Sequence, residues 1–463
     1  MTAWNAREEA ALTLEEILAK KGYSSIVLDR RIQQYPPSVD LRDKALVTRL
    51  VYGALTHLNT LDALIDSYSK TPVRRMKPYI ACTLRVACEQ MLYEDRIPDR
   101  AAVYEAVEAV KHSRFKGLSG FVNGVLRAIL RDGAAVPKVK DRLEQMALDY
   151  SLPAGILKDW EASYGPDMTL DIARRLSTET SVCVRCNTIK CTPEELEAEL
   201  KEQLGDDAVR RSKALNELFY LGSAEGLGGW KALTEGRMVV QNESAALSAA
   251  LSLVQPGMKV LDMCAAPGGK STFMAQMMEN KGELYSCDVH EHKVRLMQAQ
   301  MERMGITCCQ TLQQDGTAFQ PEWEETFDVV MLDAPCSGLG ILRNKPEIRW
   351  FREEGDFDEL VLLQEKLLSQ AARYVKPGGR LVYSTCTIRA AENEGQMEHF
   401  LSEYPDFSET DLEKDLPSVA ICDTISNNYA KRPEKPFSKG WRVILPEEKG
   451  RDGFFLASLV KQA

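Results

Sequence analysis

Two cysteines stand directly after apolar segments and have the side chains best suited to covalent chemistry. Cys336 follows the segment FDVVMLDAP, and Cys386 follows GGRLVYST. Both segments predict buried strands, and a predicted helix over 357–375 separates them. A strand–helix–strand order predicts two parallel strands, so both cysteines should lie at the same edge of a sheet. A thiolate there can act as a nucleophile, whereas a buried apolar thiol is the alternative for each cysteine.

A third segment, Val260–Ser271 with the sequence VLDMCAAPGGKS, predicts a strand that breaks into a glycine turn and then opens a helix. Gly268 and Gly269 lack Cβ atoms, so their backbone can lie against a ligand, and helix 271–279 presents free N–H groups. This pattern suits an anionic or polar cofactor. A P-loop would need glycine at Cys264, and the dinucleotide pattern G-x-G-x-x-G is absent. An ordinary strand-to-helix turn is the remaining alternative.

In their order along the chain, CAAPGGKS, DAPCSG and STCT closely resemble the motifs of RNA cytosine-5 methyltransferases of the RsmB/NOP family. The cysteine pair, one after Asp-Ala-Pro and one after Ser-Thr, is the specific part of this resemblance. It implies that Cys386 is the nucleophile that adds to C6 of cytosine and that Cys336 assists release of the product. Asp333 would hydrogen-bond the N3 and N4 edge of the base, although capping of the turn is the alternative.

The resemblance also implies S-adenosylmethionine as the cofactor. Asp288, at the end of the second strand, suits the ribose hydroxyls, and Asp315, after the next strand, would face the adenine. Asp262 ends the first strand below the glycine turn, and Lys270 either favours anionic groups near the base or caps a helix. The residues expected to bind the cofactor are Cys264, Ala265, Ala266, Pro267, Gly268, Gly269, Lys270, Asp288, Asp315 and Asp333.

The composition limits the possible functions. The chain has 463 residues, enough for more than one domain, and its net charge of −10 means that an RNA enzyme must concentrate positive charge locally. No apolar run is long enough for a membrane span, and the acidic N-terminus is unlike a signal peptide. Twelve cysteines, mostly in apolar segments, indicate free thiols in a reducing cytoplasm. No metal site is expected, because Cys183, Cys186 and Cys191 lack a fourth ligand nearby.

The sequence divides into three predicted domains. Residues 1–135 carry apolar residues at helical spacing and predict an all-α domain. Its phrases RIPDRAAVYEAVE and GFVNGVLRAI resemble the NusB domain, which implies RNA binding, and a helical domain that serves packing alone is the alternative. Residues 136–235 predict a linker with a small α+β, RRM-like domain. The predicted helices of the first domain include 6–21, 41–69, 79–93, 101–111 and 120–131.

Residues 236–463 predict the catalytic domain. Alternating strands and helices predict a doubly wound, Rossmann-like parallel sheet, and resemblance to the methyltransferase fold implies a closing antiparallel hairpin. The predicted strands are 259–263, 283–288, 307–312, 327–333, 380–384, 441–445 and 453–460, and the helices include 290–304, 357–375 and 392–404.

Basic residues near the predicted active site are candidate phosphate contacts, with solvated surface charge as the alternative for each. One set follows Cys336, and the other lies toward the C-terminus. Where the family often has arginine, this chain has Thr56 and Asn344. The residues expected to bind RNA are Arg343, Lys345, Arg349, Lys431 and Arg432.

The resemblance implies a cytoplasmic enzyme that methylates carbon 5 of a cytosine in 16S ribosomal RNA, either free or in an assembly intermediate of the small subunit. A monomer is the default oligomeric state. Two alternatives stay open: the same chemistry on transfer RNA or another ribosomal site, and a non-catalytic RNA-binding protein of ribosome assembly. The intact Cys336, Cys386 and Asp333 argue against the second alternative.

Overall fold

The computed structural model describes residues 4–95, 97–178, 180–352, 354–416, 422 and 438–463. Its residues form two compact units. The first comprises Met1–Ser177 with Leu342–Phe351, and the second comprises Thr178–Ile341 with Arg352–Ala463. Within the described ranges, no helix combines the length and the apolar character that a bilayer span requires.

The first unit is helical, as the spacing of its apolar residues predicts. Local signals begin its helices: the Asn5 side chain accepts hydrogen bonds from two backbone N–H groups, and Pro78 is the first residue of another helix. The apolar faces bury one shared core around Leu14, Leu50 and Leu55. In the described residues the helices are α1 (Ala6–Lys20), α2 (Ser24–Gln33), α3 (Leu41–Thr56), α4 (Leu58–Tyr68), α5 (Pro78–Tyr93), α6 (Asp99–His112), α7 (Ser119–Arg131), α8 (Arg142–Asp149), α9 (Ala154–Tyr164) and α10 (Pro166–Arg175).

The single helix predicted over 41–69 is two helices, α3 and α4, which meet at His57. The prediction was wrong here because apolar spacing continues on both sides of one non-helical residue. The His57 imidazole lies 3.0 Å from a carboxylate oxygen of Glu89 and stacks on Tyr93. Burial raises the pKa of the Glu89 carboxyl group, and the contact with His57 offsets part of that effect.

A small antiparallel sheet occupies residues 182–240. Its strands are β1 (Val182–Cys186), β2 (Val209–Arg211), β3 (Leu218–Leu221) and β4 (Met238–Val240), in the order β2-β3-β1-β4, with α11 (Pro193–Leu204) and α12 (Lys231–Thr234). Thr192 and Glu195 form reciprocal hydrogen bonds that cap α11. The sulfur atoms of Cys186 and Cys191 lie 3.6 Å apart, and no cluster of three or more potential metal ligands occurs in the part of the chain that the structure describes.

A large mixed sheet forms the centre of the second unit. In the described residues its strands are β5 (Lys259–Asp262), β6 (Glu283–Asp288), β7 (Cys309–Gln313), β8 (Phe327–Asp333), β9 (Val375–Thr385), β10 (Phe407–Glu409), β11 (Trp441–Ile444) and β12 (Phe454–Lys461). The remaining helices are α13 (Glu243–Ala250), α14 (Gly269–Met277), α15 (Glu291–Met304), α16 (Ile348–Phe351, in the first unit), α17 (Glu354–Tyr374), α18 (Glu394–Glu403) and α19 (Leu412–Asp415).

The order of the large sheet confirms the predicted doubly wound fold. The strands run β10-β12-β9-β8-β5-β6-β7, and β11 pairs with β12. The pairs from β9 to β7 are parallel, whereas β12 is antiparallel to both β9 and β11, as the closing hairpin implied. Winding reverses between β5 and β8, and such a switch point opens a crevice at the carboxyl edge of the strands.

The boundaries predicted at 135 and 235 do not coincide with those of the compact units. Residues 136–177 belong to the helical unit, where the Thr60 hydroxyl donates to the Leu148 carbonyl at 2.6 Å. The small sheet belongs to the second unit, where Arg185 on β1 donates to the Thr272 hydroxyl of α14 at 2.7 Å. Proline and glycine residues indicate where individual helices and strands end, but they do not indicate which elements pack into a common core.

Gly53 provides a test of packing in the helical unit. A methyl group there would lie 2.8 Å from Cδ of Glu89, whose carboxylate is held by His57. We predict that Gly53→Ala lowers the free energy of unfolding by about 1–3 kcal/mol in urea unfolding, because of this overlap. Gly124 on α7 is the matched control, since nothing lies within 4 Å of a Cβ at that position. Gly124→Ala should raise stability by about 0.5–1 kcal/mol, and equal effects from both changes would contradict the steric explanation.

Candidate active site

The glycine turn joins β5 to α14 at the carboxyl edge of the large sheet. Gly268 precedes α14 and has a φ of 96°, in the left-handed region that favours glycine. The Ala265 N–H donates to the Cys287 carbonyl at 2.8 Å, which ties the turn to β6. Because α14 begins at the turn, its first N–H groups face this edge. The turn therefore offers backbone donors to an anionic group.

Asp262 lies beneath the turn and is fully buried. Its Oδ2 accepts a hydrogen bond from the Ser271 hydroxyl at 2.6 Å, while Oδ1 has no partner among the described residues. Burial raises the pKa of Asp262 from 3.8 to about 7, although the Ser271 hydroxyl favours the charged form. The carboxyl group is therefore partly protonated at neutral pH.

Two further carboxylates stand along the same edge. Asp288 ends β6, is buried, and accepts a hydrogen bond from the His290 N–H at 2.9 Å. Asp315 follows β7, is exposed, and accepts hydrogen bonds from the N–H and hydroxyl of Thr317. These bonds lower the pKa of Asp315. Parallel pairing of β5 with β6 and of β6 with β7 places the ends of these strands at the same edge of the sheet as the glycine turn.

Cys336 and Cys386 meet at this edge, with their Sγ atoms 3.4 Å apart, and both are half-buried. The register of β8 and β9 pairs Asp333 with Ser384, so the turns that follow these residues lie side by side. The hydrogen bond with Cys386, followed by burial, raises the pKa of Cys336 well above its ordinary value. Cys336 therefore stays a thiol at neutral pH and can donate its S–H to the sulfur of Cys386.

Asp333 connects the glycine turn with the two turns that carry Cys336 and Cys386, which we call the cysteine turns. Its Oδ2 accepts a hydrogen bond from Lys270 Nζ at 2.6 Å, and its Oδ1 accepts one from the Ser384 hydroxyl at 2.7 Å. The Lys270 and Asp333 side chains are 12% and 28% exposed, so this ion pair is shielded from solvent on most sides. The pair holds Lys270 beside an anionic side chain at the end of β8, which favours the first of the two alternatives for Lys270 over the helix cap.

Buried polar residues outside the three motifs hold the cysteine turns in place. The Glu392 carboxylate accepts from the Ser337 N–H at 2.8 Å and from the Gln364 amide at 3.0 Å. Gln364 also donates to the Pro335 carbonyl at 2.9 Å. Sequence reasoning missed both Gln364 and Glu392. The available signal was a polar residue on the apolar face of α17, three residues before buried Leu367.

The expected RNA-binding residues do not form one set in the structure. Arg343, Lys345 and Arg349 lie in Leu342–Phe351, within the helical unit, whereas Lys431 and Arg432 lie outside the described residues. Arg349 is buried and donates to the carbonyl of Thr56 at 3.1 Å. Its guanidinium is thus used in packing and is not presented to phosphate, which corrects the expectation for this residue.

Two family descriptions match the chain. The description "16S rRNA methyltransferase RsmB/F" matches residues 249–460, which contain the glycine turn and both cysteines. The NusB family matches residues 4–131, which form helices α1–α7.

Full-length relatives agree with these matches. The chain is 34% identical to the probable ribosomal RNA small subunit methyltransferase B of Bacillus subtilis strain 168, over 98% of this chain and 97% of the relative. It is 32% identical to the protein of the same description from Synechocystis, over 99% of each chain. Among solved structures, PH0851 is 27% identical, covers 99% of each chain and has a TM-score of 0.80.

Asp262 gives the site a specific pH dependence. A carboxyl group with a raised pKa binds its proton more tightly in the folded state, so its contribution to stability is fully present below its ordinary pKa of 3.8 and is lost as the pH rises through about 7. Asp262→Asn removes the titration and keeps an acceptor for Ser271. We predict that the stability of the wild type falls relative to the variant by up to about 1.4 kcal/mol per pH unit in this window. Urea unfolding at several pH values measures it, and parallel profiles would contradict the prediction.

Proposed function

The chain belongs to the RsmB/F family of 16S rRNA methyltransferases, and we propose that it methylates carbon 5 of a cytosine in 16S rRNA. The observation that carries this proposal is the 3.4 Å separation of the Cys336 and Cys386 sulfur atoms at the edge that also holds the glycine turn. One thiol is enough to add to a base. A second thiol in contact with it suits a reaction in which the adduct must also be released.

The chemistry of cytosine explains the need for a nucleophile. Carbon 5 is a weak nucleophile because the ring is aromatic. We propose that the Cys386 thiolate adds to C6, which interrupts the conjugation and lets C5 accept a methyl group. The C5 proton then passes to solvent, its bonding electron pair restores the C5–C6 double bond, and the C6–S bond breaks. Cys336 assists this release by donating its S–H to the departing Cys386 sulfur. The target base must leave any stack to reach both sulfur atoms.

S-adenosylmethionine is the cofactor of this family, and the residues at the turn fit it. When bound, it supplies an electrophilic methyl group. Gly268 and Gly269 allow close approach of a ligand, and the first N–H groups of α14 suit a carboxylate. We propose that residues 264–270 hold the methionine part, that Asp288 accepts hydrogen bonds from the ribose hydroxyls, and that Asp315 faces the adenine.

We propose that Asp333 holds the N3 and N4 edge of the cytosine. Lys270 and Ser384 each donate to one of its oxygens, so the carboxylate has a fixed orientation. Each carboxylate oxygen can accept more than one hydrogen bond, so the N4 amino group can be added without loss of these contacts. Asp333 ends β8 three residues before Cys336, a spacing that supports a contact with the same base.

We propose that the helical unit binds RNA. Helices α6 and α7 border a groove of about 870 Å³, and Tyr104 on its wall is 63% exposed. Its basic lining residues favour phosphate groups, and an exposed aromatic ring suits stacking with an unpaired base. The cationic residues of the groove are Arg100, Lys111, Arg127 and Arg131.

We place the reaction in the cytoplasm and keep a monomer as the expected state. All twelve cysteines are thiols outside disulfide bonds, which supports a reducing compartment. The experiments below distinguish this proposal from two alternatives. One is the same chemistry on transfer RNA or another ribosomal site, and the other is a non-catalytic role in ribosome assembly.

Cys386→Ala tests the nucleophile. We predict that it reduces transfer of labelled methyl to protein-free 16S RNA by about 10³-fold or more, because no adduct can form. Cys308→Ala is the matched control, since Cys308 is also a half-buried thiol but lies outside the cysteine pair. In cells, Cys386→Ala should remove one 5-methylcytosine from 16S rRNA. Loss of a transfer RNA mark would identify the other target, and equal incorporation by wild type and variant would contradict the assignment.

Cys336→Ala tests product release. We predict a covalent protein–RNA adduct that survives denaturation and migrates slowly on a denaturing gel, because Cys386 can still add but is expelled slowly. The double variant Cys336→Ala/Cys386→Ala is the control and should give no adduct. If the single variant turns over without a trapped adduct, Cys336 has no role in release.

A further inference from the structure

Arg185 is a fully buried cation that connects the small sheet to the cofactor turn. It lies on β1, a central strand of the small sheet, and reaches α14, the helix that follows β5 of the large sheet. Its Nη2 donates to the Thr272 hydroxyl at 2.7 Å and to the Gly269 carbonyl at 3.4 Å, and its Nη1 donates to Gln276. The guanidinium also packs on the ring of Phe273, 4.6 Å from the centroid. Four positions of α14, spread from its first residue Gly269 to Gln276, are therefore in contact with one side chain.

The hydrogen-bond partners of Arg185 in the described residues are all uncharged. Burial lowers the pKa of the guanidinium to about 9, against an opposing effect of the Glu217 charge, and the group stays protonated at neutral pH. A buried cation is costly without an opposite charge, and the start of a helix is itself partly positive. Arg185 and α14 thus direct two sources of positive potential toward the same turn, which favours an anionic group there.

Gln241 extends this arrangement to Gly269, the first residue of α14. Arg185 Nε donates to Gln241 Oε1 at 2.6 Å. Since a guanidinium has no acceptor, this bond fixes the amide with its Nε2 group on the opposite side. Gln241 is buried, and its Nε2 has no hydrogen-bond partner among the described residues. That nitrogen lies 3.5 Å from the position of a Cβ at Gly269, so an unused N–H donor stands beside the first residue of α14.

We propose that Arg185 is a positioning residue that, through Gln241 and α14, makes the glycine turn selective for the carboxylate of S-adenosylmethionine. The guanidinium holds the turn in its binding conformation, orients the Gln241 donor and adds positive potential behind the site. The inference rests on the cofactor of the family and is independent of the proposed cytosine chemistry, because its test is a binding measurement.

The experiment compares two ligands that differ only in the carboxylate: S-adenosylmethionine and its decarboxylated analogue. Calorimetric titration of the full chain with each ligand gives the two dissociation constants. For Arg185→Met we expect S-adenosylmethionine to bind about tenfold more weakly and the analogue to change by less than about twofold. Selectivity here is the ratio of the two dissociation constants. Arg185→Lys keeps the charge, and we expect it to recover about half of the loss in the logarithm of this ratio. Arg211→Met is the matched control, because Arg211 is on β2 of the same sheet and pairs with Glu194 and Glu197.

The outcomes separate a positioning role from a purely structural one. An equal loss of affinity for both ligands in a folded Arg185→Met protein would overturn the inference, as would no loss for either. If Arg185→Met does not fold, Thr272→Val removes one partner of the guanidinium without changing charge. That variant should lose a smaller factor for S-adenosylmethionine alone, and no selective loss would overturn the inference. Failure of the wild type to bind S-adenosylmethionine would overturn the cofactor assignment and this inference together, whereas failure of cytosine methylation alone would leave the inference standing.

Discussion

The candidate active site depends on the parallel pairing of β8 with β5 and β9. Parallel strands end at one edge, so residues that are far apart in the sequence can follow neighbouring strand ends. The register of Asp333 with Ser384 places Cys336 and Cys386 in contact, and β5 beside β8 brings the glycine turn within reach of Asp333. A shift of one residue in the β8–β9 register would exchange the faces of the strands and separate the two thiols.

The strand register brings the turns close together, and polar side chains inside the second unit then hold these turns in place. Glu392 and Gln364 hold the cysteine turns, Asp262 supports the glycine turn, and Arg185 holds the start of α14. Burial raises the pKa of Asp262 and lowers that of Arg185, so each charged form is disfavoured by its surroundings. Polar groups placed in this way cost stability unless they are hydrogen-bonded, and such groups cluster where a site must be preorganised.

Much of the fold was predictable because the local signals and the tertiary structure agree. The strand predicted over 327–333 matches β8, and that over 283–288 matches β6, because apolar runs ending in a polar residue are typical of buried parallel strands. The helix break at His57 was not predictable from spacing, since one residue leaves the apolar period intact. The burial of Arg349 was not predictable either, because an arginine that packs against a backbone carbonyl has the same local sequence signature as one that binds phosphate.

The sequence by itself determined the chemistry that is possible: two cysteines after strands, a glycine turn that opens a helix, and carboxylates at strand ends. These are local patterns, and short-range sterics and hydrophobic periodicity are enough to specify them. Only the tertiary structure decided which side chains meet, that the Cys336 and Cys386 sulfur atoms lie 3.4 Å apart, and that Arg185 from a separate sheet contacts the helix that follows the glycine turn. The physical reason is that hydrogen bonds and burial act over a few ångströms in space, whereas Arg185 and Thr272 stand far apart along the chain. Their contact exists only once two sheets have packed together.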